Sequence, residues 1–302
     1  MSEIKGLGFI PSPEDRRDIL MSAFLPVFSV PRKFDYTEQM TSVKDQGTEG
    51  TCVGFACAVG VKEYQEKKEY TKKIDLSPRF LYQKCKEKDG IPDQEGTYIR
   101  IALKVLKEIG VCEEDYWPYI ARNPGSPKPG SEENANRYKI KAYARLDSLD
   151  IIKRSLIVNG PCVAGVPIYA NWMTQEVYST GKVPAPGNSR LVGGHAICIV
   201  GFDDDTQLFK FKNSWNTDWG DNGYGYLPYH YMELDRSEIW SATDLIEDPE
   251  SLIKAKEKVL QRLEINYNGE TKDFKDSNQT IKLTMTIKRR RSILKIVINS
   301  LK

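Results

Sequence analysis

The chain has 302 residues, with 44 Lys and Arg against 42 Asp and Glu, a formal net charge of +2, and 28% charged and 40% hydrophobic residues. Bulk disorder needs fewer apolar residues and more net charge, and collagen-like or low-complexity sequence needs far more than 22 Gly and 16 Pro, so both are excluded. The longest apolar run, Cys52 to Val61, is half of the ~20 residues that span a bilayer, so no membrane span is expected.

The first residues, MSEIKGLGFIPSPEDRRD, lack the basic start and apolar stretch of a secretory signal. The apolar stretch Ile19 to Val30 follows acidic residues and contains Pro26, so it is read as wrapped onto a core. Lys44 to Gly50 is turn-like. The run CVGFACAVGVKEYQEKKEY is apolar all round and then charged, the pattern of a helix that starts deep and emerges. Leu76 to Lys86 and Tyr98 to Ile109 have helical spacing, the second ending at Gly110. Arg122 to Asn136 turns to Pro, Gly, Ser and Asn and reads as a surface loop or a subdomain crossing. Downstream, VNGPCVAGVPIY, HAICIVGFDD, LFKFKNSW and GYGYLPY are short apolar segments with strand-like punctuation. A helical half followed by a β half is an α+β arrangement.

The small net charge conceals an asymmetry, since residues 251–302 carry a net +8 and residues 1–250 a net −6. Asp248-Pro249 marks a boundary because a residue before proline is pushed out of helical geometry. Beyond it, a short helix over Ser251 to Gln261 is expected. It is followed by alternating apolar residues around Asn268-Gly269, a strong hairpin signal, and by a second alternation leading to Ile293 to Ile298. The expected division is an N-terminal extension over 1–39, a main domain over 40–249 and a small basic β-rich module over 250–302 that docks on the main body. The basic turn Lys288 to Arg291 is read as solvated edge protection, a polyanion partner being the lesser alternative.

The motifs narrow the chemistry. G-x-S-x-G, H-E-x-x-H and phosphate-loop patterns are absent, so a serine hydrolase elbow, a zincin and a P-loop enzyme have no support. The six cysteines stand singly with no C-x-x-C pair, against structural zinc and a dense disulfide framework. No cofactor or metal is expected, and Asp203 to Asp205 read as a solvated turn. Histidine occurs only at 195 and 230, so a neutral-pH proton acceptor must be one of these two, and His230 reads as a surface residue. Cys52 opens a buried helix, His195 sits in a glycine-flanked strand and Asn213 in an aromatic-rich segment. Thiol hydrolysis needs such a set. A helix N-terminus and an imidazolium lower the thiol pKa, the imidazole protonates the leaving amine, and an amide fixes its orientation. Gln46 could donate to an oxyanion beside the Cys52 N–H, and Trp215 could shield the Asn–His hydrogen bond.

These segments resemble the papain-like cysteine peptidases over roughly residues 40–230. VKDQGTEGTCVGFACA resembles the family's nucleophile segment, GGHAICIVGFDD its histidine strand and FKNSWNTDWGDNGYGYLPY its Asn-Ser-Trp segment, with weaker echoes in LSPRFLY, EGTYIRIALKVLKEIGV and YWPY. The resemblance implies two subdomains with a cleft between them, Cys52 as nucleophile, His195 as acid/base, Asn213 as orienting residue and Gln46 as oxyanion donor. It implies hydrolysis of peptide or protein substrates through an acyl-thioester. The Cys52 to His195 spacing falls within the family's range of about 130–150 residues, and that to Asn213 slightly exceeds it. Three positions depart from the pattern: Glu49 stands where a disulfide cysteine is usual, Val53 replaces an aromatic residue, and Gly194 precedes the histidine. The stretch before residue 40 resembles that of short, prokaryote-type members and is expected to pack across or near the cleft. Two other readings stay open, an acyl transferase or amidase using the same site and a catalytically silent binding module. The missing signal and missing disulfide framework lead to an expectation of a cytoplasmic protein.

Overall fold

A computed structural model describes residues 5–71 and 73–243, together with the backbone of four strands between 264 and 298. The chain divides into two compact units, 1–249 and 250–302.

In the first unit a short strand β1 (Lys33–Asp35) precedes the central helix, which begins as α1 (Cys52–Gly54), widens into a π-helical stretch (Phe55–Lys62) and returns to α-helix as α2 (Glu63–Tyr70). Widening frees the main-chain carbonyl of Val59, which accepts from Lys212 Nζ at 3.0 Å and Thr41 Oγ1 at 3.3 Å. Burial lowers the Lys212 ammonium to about 8. Helix α3 (Pro78–Lys86) starts where Ser77 Oγ accepts from Phe80 N and proline occupies the first turn, a pairing that satisfies one N-terminal donor and presets φ. Helix α4 (Ile99–Glu108) buries Ile99, Ala102, Leu103, Val105 and Leu106 on one face and ends before Gly110, whose φ of +93° favours glycine. The loop expected over Arg122 to Asn136 contains one short helix, α5 (Ser131–Ala135).

The second half is a sheet. It is built from β2 (Ala142–Arg145), β3 (Cys162–Tyr169), β4 (Leu191–Asp203), β5 (Leu208–Lys212), β6 (Tyr224–Pro228) and β7 (Glu238–Thr243) in the order β2-β7-β3-β4-β5-β6, with β1 on β4. All pairs are antiparallel. Helix α6 (Leu149–Asn159), capped by Ser148, packs on it, and α7 (Gln175–Thr180) follows β3. Each half has its own core: Phe80, Leu103 and Leu106 belong to the helical one, Trp172, Phe209 and Trp219 to the other. Two cores leave a seam, and the segments singled out in the sequence meet along it.

In the second unit, strands Glu264–Tyr267 and Glu270–Asp273 pair antiparallel and Leu283–Arg289 pairs with Ser292–Ile298, while Asn268 and Gly269 of the expected turn lie outside the described residues. The expected helix over Ser251 to Gln261 lies outside the described residues, as do Arg290 and Arg291 of the basic turn.

Candidate active site

Cys52 is the first residue of α1 and is fully buried. His195 lies on β4, opposite Val166 of β3, also with no exposure. The N–H of Ala196, next to His195, donates to Cys52 Sγ at 3.4 Å, which sets the thiol beside the imidazole strand. His195 Nε2 donates to Asn213 Oδ1 at 2.8 Å, leaving Nδ1 as the unprotonated nitrogen, without a hydrogen-bond partner among the described residues. Asn213 follows β5 and is held by its own N–H to Gly223 O and by Ser214 N donating to its Oδ1. The Trp215 ring lies 4.5 Å from the imidazole at an interplanar angle of 31° and is 2% exposed, so water has no route to the His–Asn hydrogen bond from that side.

Gln46 is fully buried, its Nε2 donating to Glu49 O at 2.9 Å and Gly6 O at 3.0 Å, its Oε1 accepting from Ser214 Oγ at 2.6 Å. The structure thus brings all five sequence-predicted residues to one seam. His230 is exposed and elsewhere, and the other five cysteines are free and buried. Sequence reasoning missed Ser214 and Tyr119: the Tyr119 hydroxyl donates to Gln46 O at 2.7 Å and lies 2.7 Å from Thr51 Oγ1. The aromatic-rich YWPY segment was a signal for Tyr119, although nothing in it named the partner.

The cleft holds a segment of the same chain. Gly6 N donates to Gly47 O, Thr97 N to Gly8 O, Phe9 N to Gly194 O and Ile10 N to Thr97 O, at 2.9–3.1 Å. The Gly8 N–H reaches the Cys52 thiol. Phe9 is 4% exposed, its ring against Gly165, where a Cβ would stand 2.2 Å from it. A Cβ on Gly8 would stand 1.8 Å from Gly50 O, and one on Gly194 2.3 Å from Phe9 O. The departure at Gly194 therefore has a local reason, which is room for this strap. Outside the cleft the strap is fastened by Lys5–Asp45 at 2.7 Å, by Ser12 N and Oγ donating to the buried carboxylate of Glu238, and by Arg100 to Asp18 and Pro13 O.

Under this cover the electrostatics depart from the sequence expectation. Burial pushes the Cys52 thiol up to about 11, against the weaker pull of the Ala196 and Gly8 N–H groups, and pushes the His195 imidazole down to about 4, against the hydrogen bond to Asn213. The helix N-terminus and the expected imidazolium are outweighed because neither charge would be hydrated. In the closed cleft, thiol and imidazole are both neutral.

The profile of the papain family cysteine proteases matches residues 30–237. The chain belongs to the papain family of cysteine proteases. It is 30% identical over 268 residues to an uncharacterised peptidase C1-like protein of Acanthamoeba polyphaga mimivirus, covering 78% of this chain and 86% of the viral one. It is 30% identical over 190 residues to cathepsin K of Gallus gallus, covering 61% of this chain and 54% of the cathepsin's length. The structure of xylellain, a cysteine protease from Xylella fastidiosa, superposes with a TM-score of 0.72 at 28% identity, covering 81% of this chain and 98% of that one. This papain-family protein is thus a cysteine-type peptidase of α+β fold, and none of these likenesses favours an acyl transferase or a silent binding module. Among the described residues no cluster of His, Cys, Asp and Glu could hold a metal ion, and Asp203 and Asp205 pair with Lys33 while Asp204 pairs with Lys153. No helix among them is long and apolar enough to cross a membrane.

Proposed function

We propose that Cys52, His195, Asn213 and Gln46 are the catalytic set of this peptidase and that its own residues 5–13 hold the cleft closed. The observation that carries the first part is the buried His195 Nε2–Asn213 Oδ1 hydrogen bond beside a strand whose next N–H reaches Cys52 Sγ. With the cleft open and hydrated, His195 Nδ1 takes the thiol proton and the Cys52 sulfur attacks the substrate carbonyl carbon. The negative charge that develops on the carbonyl oxygen meets the Cys52 N–H and one N–H of Gln46. As the intermediate collapses, the imidazolium gives its proton to the departing amine. Water, losing a proton to His195, then cleaves the thioester and restores the thiol. Asn213 holds the ring in one orientation through both steps.

The main domain over 40–249 and the basic module over 250–302 keep the roles of catalytic body and appendage in this reading. Six free cysteines suit a protein that folds where thiols stay reduced, and we place the enzyme in the cytoplasm; fractionation of the source cells checks this. A fluorogenic peptide library assayed on the wild type and on Cys52→Ala tests the catalytic assignment. Turnover by Cys52→Ala above background, or its labelling by a thiol-reactive peptide-like inhibitor at the site, would refute it.

A further inference from the structure

Glu49 stands where the sequence pattern implies a disulfide cysteine, and its carboxylate is clamped instead by charge. Both oxygens meet the fully buried Arg79 of α3, Oε1 to Nη1 at 2.6 Å and Oε2 to Nη2 at 2.7 Å, and Oε2 also accepts from Arg122 N at 2.7 Å. Burial pushes the Glu49 carboxyl up, and the Arg79 guanidinium together with the Arg122 N–H outweighs it, leaving the carboxyl below its ordinary pKa. The same guanidinium donates to Ile120 O at 2.7 Å and lies 4.6 Å over the Tyr119 ring. Such a planar fork fixes a carboxylate in one orientation as no lysine or neutral partner does.

Two routes lead from this pair to Gln46. The Glu49 main-chain carbonyl takes one of the two Nε2 protons of Gln46, so its position decides where the other proton points. The Tyr119 hydroxyl, on the ring that Arg79 covers, holds the Gln46 main-chain carbonyl. We infer that the Glu49–Arg79 ion pair is a positioning unit that aims the second N–H of the Gln46 carboxamide, which Gly6 O holds while the strap is seated, at the oxyanion of the reacting substrate once the strap has left, a non-covalent tie in the place of a disulfide. This rests on the reading of Gln46 as oxyanion donor.

The test uses the full chain carrying Gly8→Val to displace the strap, with Glu49→Gln, Gln46→Ala and both together added to it. Three quantities are read: kcat and KM on a peptide substrate, affinity for a peptide aldehyde, and the rate at which iodoacetamide alkylates Cys52, followed by mass spectrometry. The aldehyde adds the thiol across its C=O bond and places an oxygen in the oxyanion site, whereas alkylation displaces iodide and makes no oxyanion. Removing an oxyanion donor costs roughly 100-fold or more in kcat. Glu49→Gln, which misaims the donor, is expected to lower kcat about tenfold at unchanged KM, weaken the aldehyde by a like factor and leave alkylation unchanged. The double variant should be no worse than Gln46→Ala alone, because both changes act through one group. Factors that multiply, or alkylation that falls in step with kcat, would mean a merely structural pair and overturn the inference. A Gln46→Ala chain with full kcat and full aldehyde affinity would instead remove the oxyanion reading itself. Should Glu49→Gln not fold, Arg79→Lys keeps the charge, loses the fork and is expected to shift kcat in the same direction with the same non-additivity.

Discussion

The two halves of the peptidase hold their shares of the site by different means. On the helical side, Gln46 and Cys52 belong to a turn and a helix start braced by a largely buried polar cluster of Glu49, Arg79, Tyr119 and Thr51. On the β side, His195 and Asn213 are aimed by strand register and aromatic cover, with Trp215 on the imidazole and Trp219 edge-on to Trp215 at 5.4 Å. A polar cluster fixes where small main-chain and amide dipoles point, and packed rings exclude water from one hydrogen bond. The strap touches both sides, Gly8 on the helical half and Phe9 on the β half, so its seating depends on the distance between them.

If the halves divide the labour this way, the most damaging change on the β side is His195→Ala, which removes the only proton carrier. Steady-state turnover should fall at least ~1,000-fold, as losses of such groups do. A loss of only a few-fold would assign the proton transfers elsewhere. Next in size are changes to the strap itself. Gly8→Val places side-chain atoms inside the Gly50 main chain, so the strap cannot seat and full-chain turnover should rise, on the order of tenfold or more. Phe9→Ala empties a buried site that a phenyl ring fills at 4% exposure, a loss of about 3 kcal/mol in a well-packed core, and should open the cleft less completely. Turnover equal to wild type in both would separate the strap from control of the cleft. Asn213→Ala should cost about tenfold, because the imidazole keeps its strand and its tryptophan cover and loses only its orientation.

Much of this was legible in the sequence. The spacing of apolar residues marks α3 and α4, Gly110 stops the second, and the segments around Cys52, His195 and Asn213 name the chemistry before any fold is seen. What was not legible depends on partners far along the chain. The π-helical stretch at Phe55–Lys62 goes with a carbonyl that Lys212 takes from β5. The Glu49–Arg79 pair joins residues whose separate contexts carry no sign of each other. The lowered thiol pKa expected from a helix N-terminus was overridden by burial under a strap whose glycines have no periodicity to detect. Glycine at 6, 8 and 194 shows no role until the opposing backbone is in place.

The subtlest consequence concerns protons. In the closed cleft His195 titrates near 4, whereas a hydrated imidazole titrates near 6.5. Between those values the open form binds a proton that the closed form refuses, so lowering the pH from 6.5 to 4 favours opening, and raising it favours closure. The same sign applies to stability. The buried neutral imidazole holds its contribution above 6.5 and loses it as the pH falls toward 4, by roughly 3 kcal/mol if the full interval is traversed. Amide hydrogen exchange at Phe9 and Ile10, corrected for intrinsic rates, should therefore show less protection at pH 4.5 than at pH 7. The Glu238 carboxyl, raised by burial and accepting from Ser12, works in the opposite sense, because the closed form holds its proton more readily than a hydrated one would and acidification through it favours closure. His195→Gln separates the two, since it keeps a polar side chain that takes up no proton. If the acid-induced loss of protection survives in His195→Gln unchanged, the imidazole is a passenger; if it disappears or reverses, leaving the carboxyl's opposite trend, the acid/base residue of the site also senses whether its own cleft is covered.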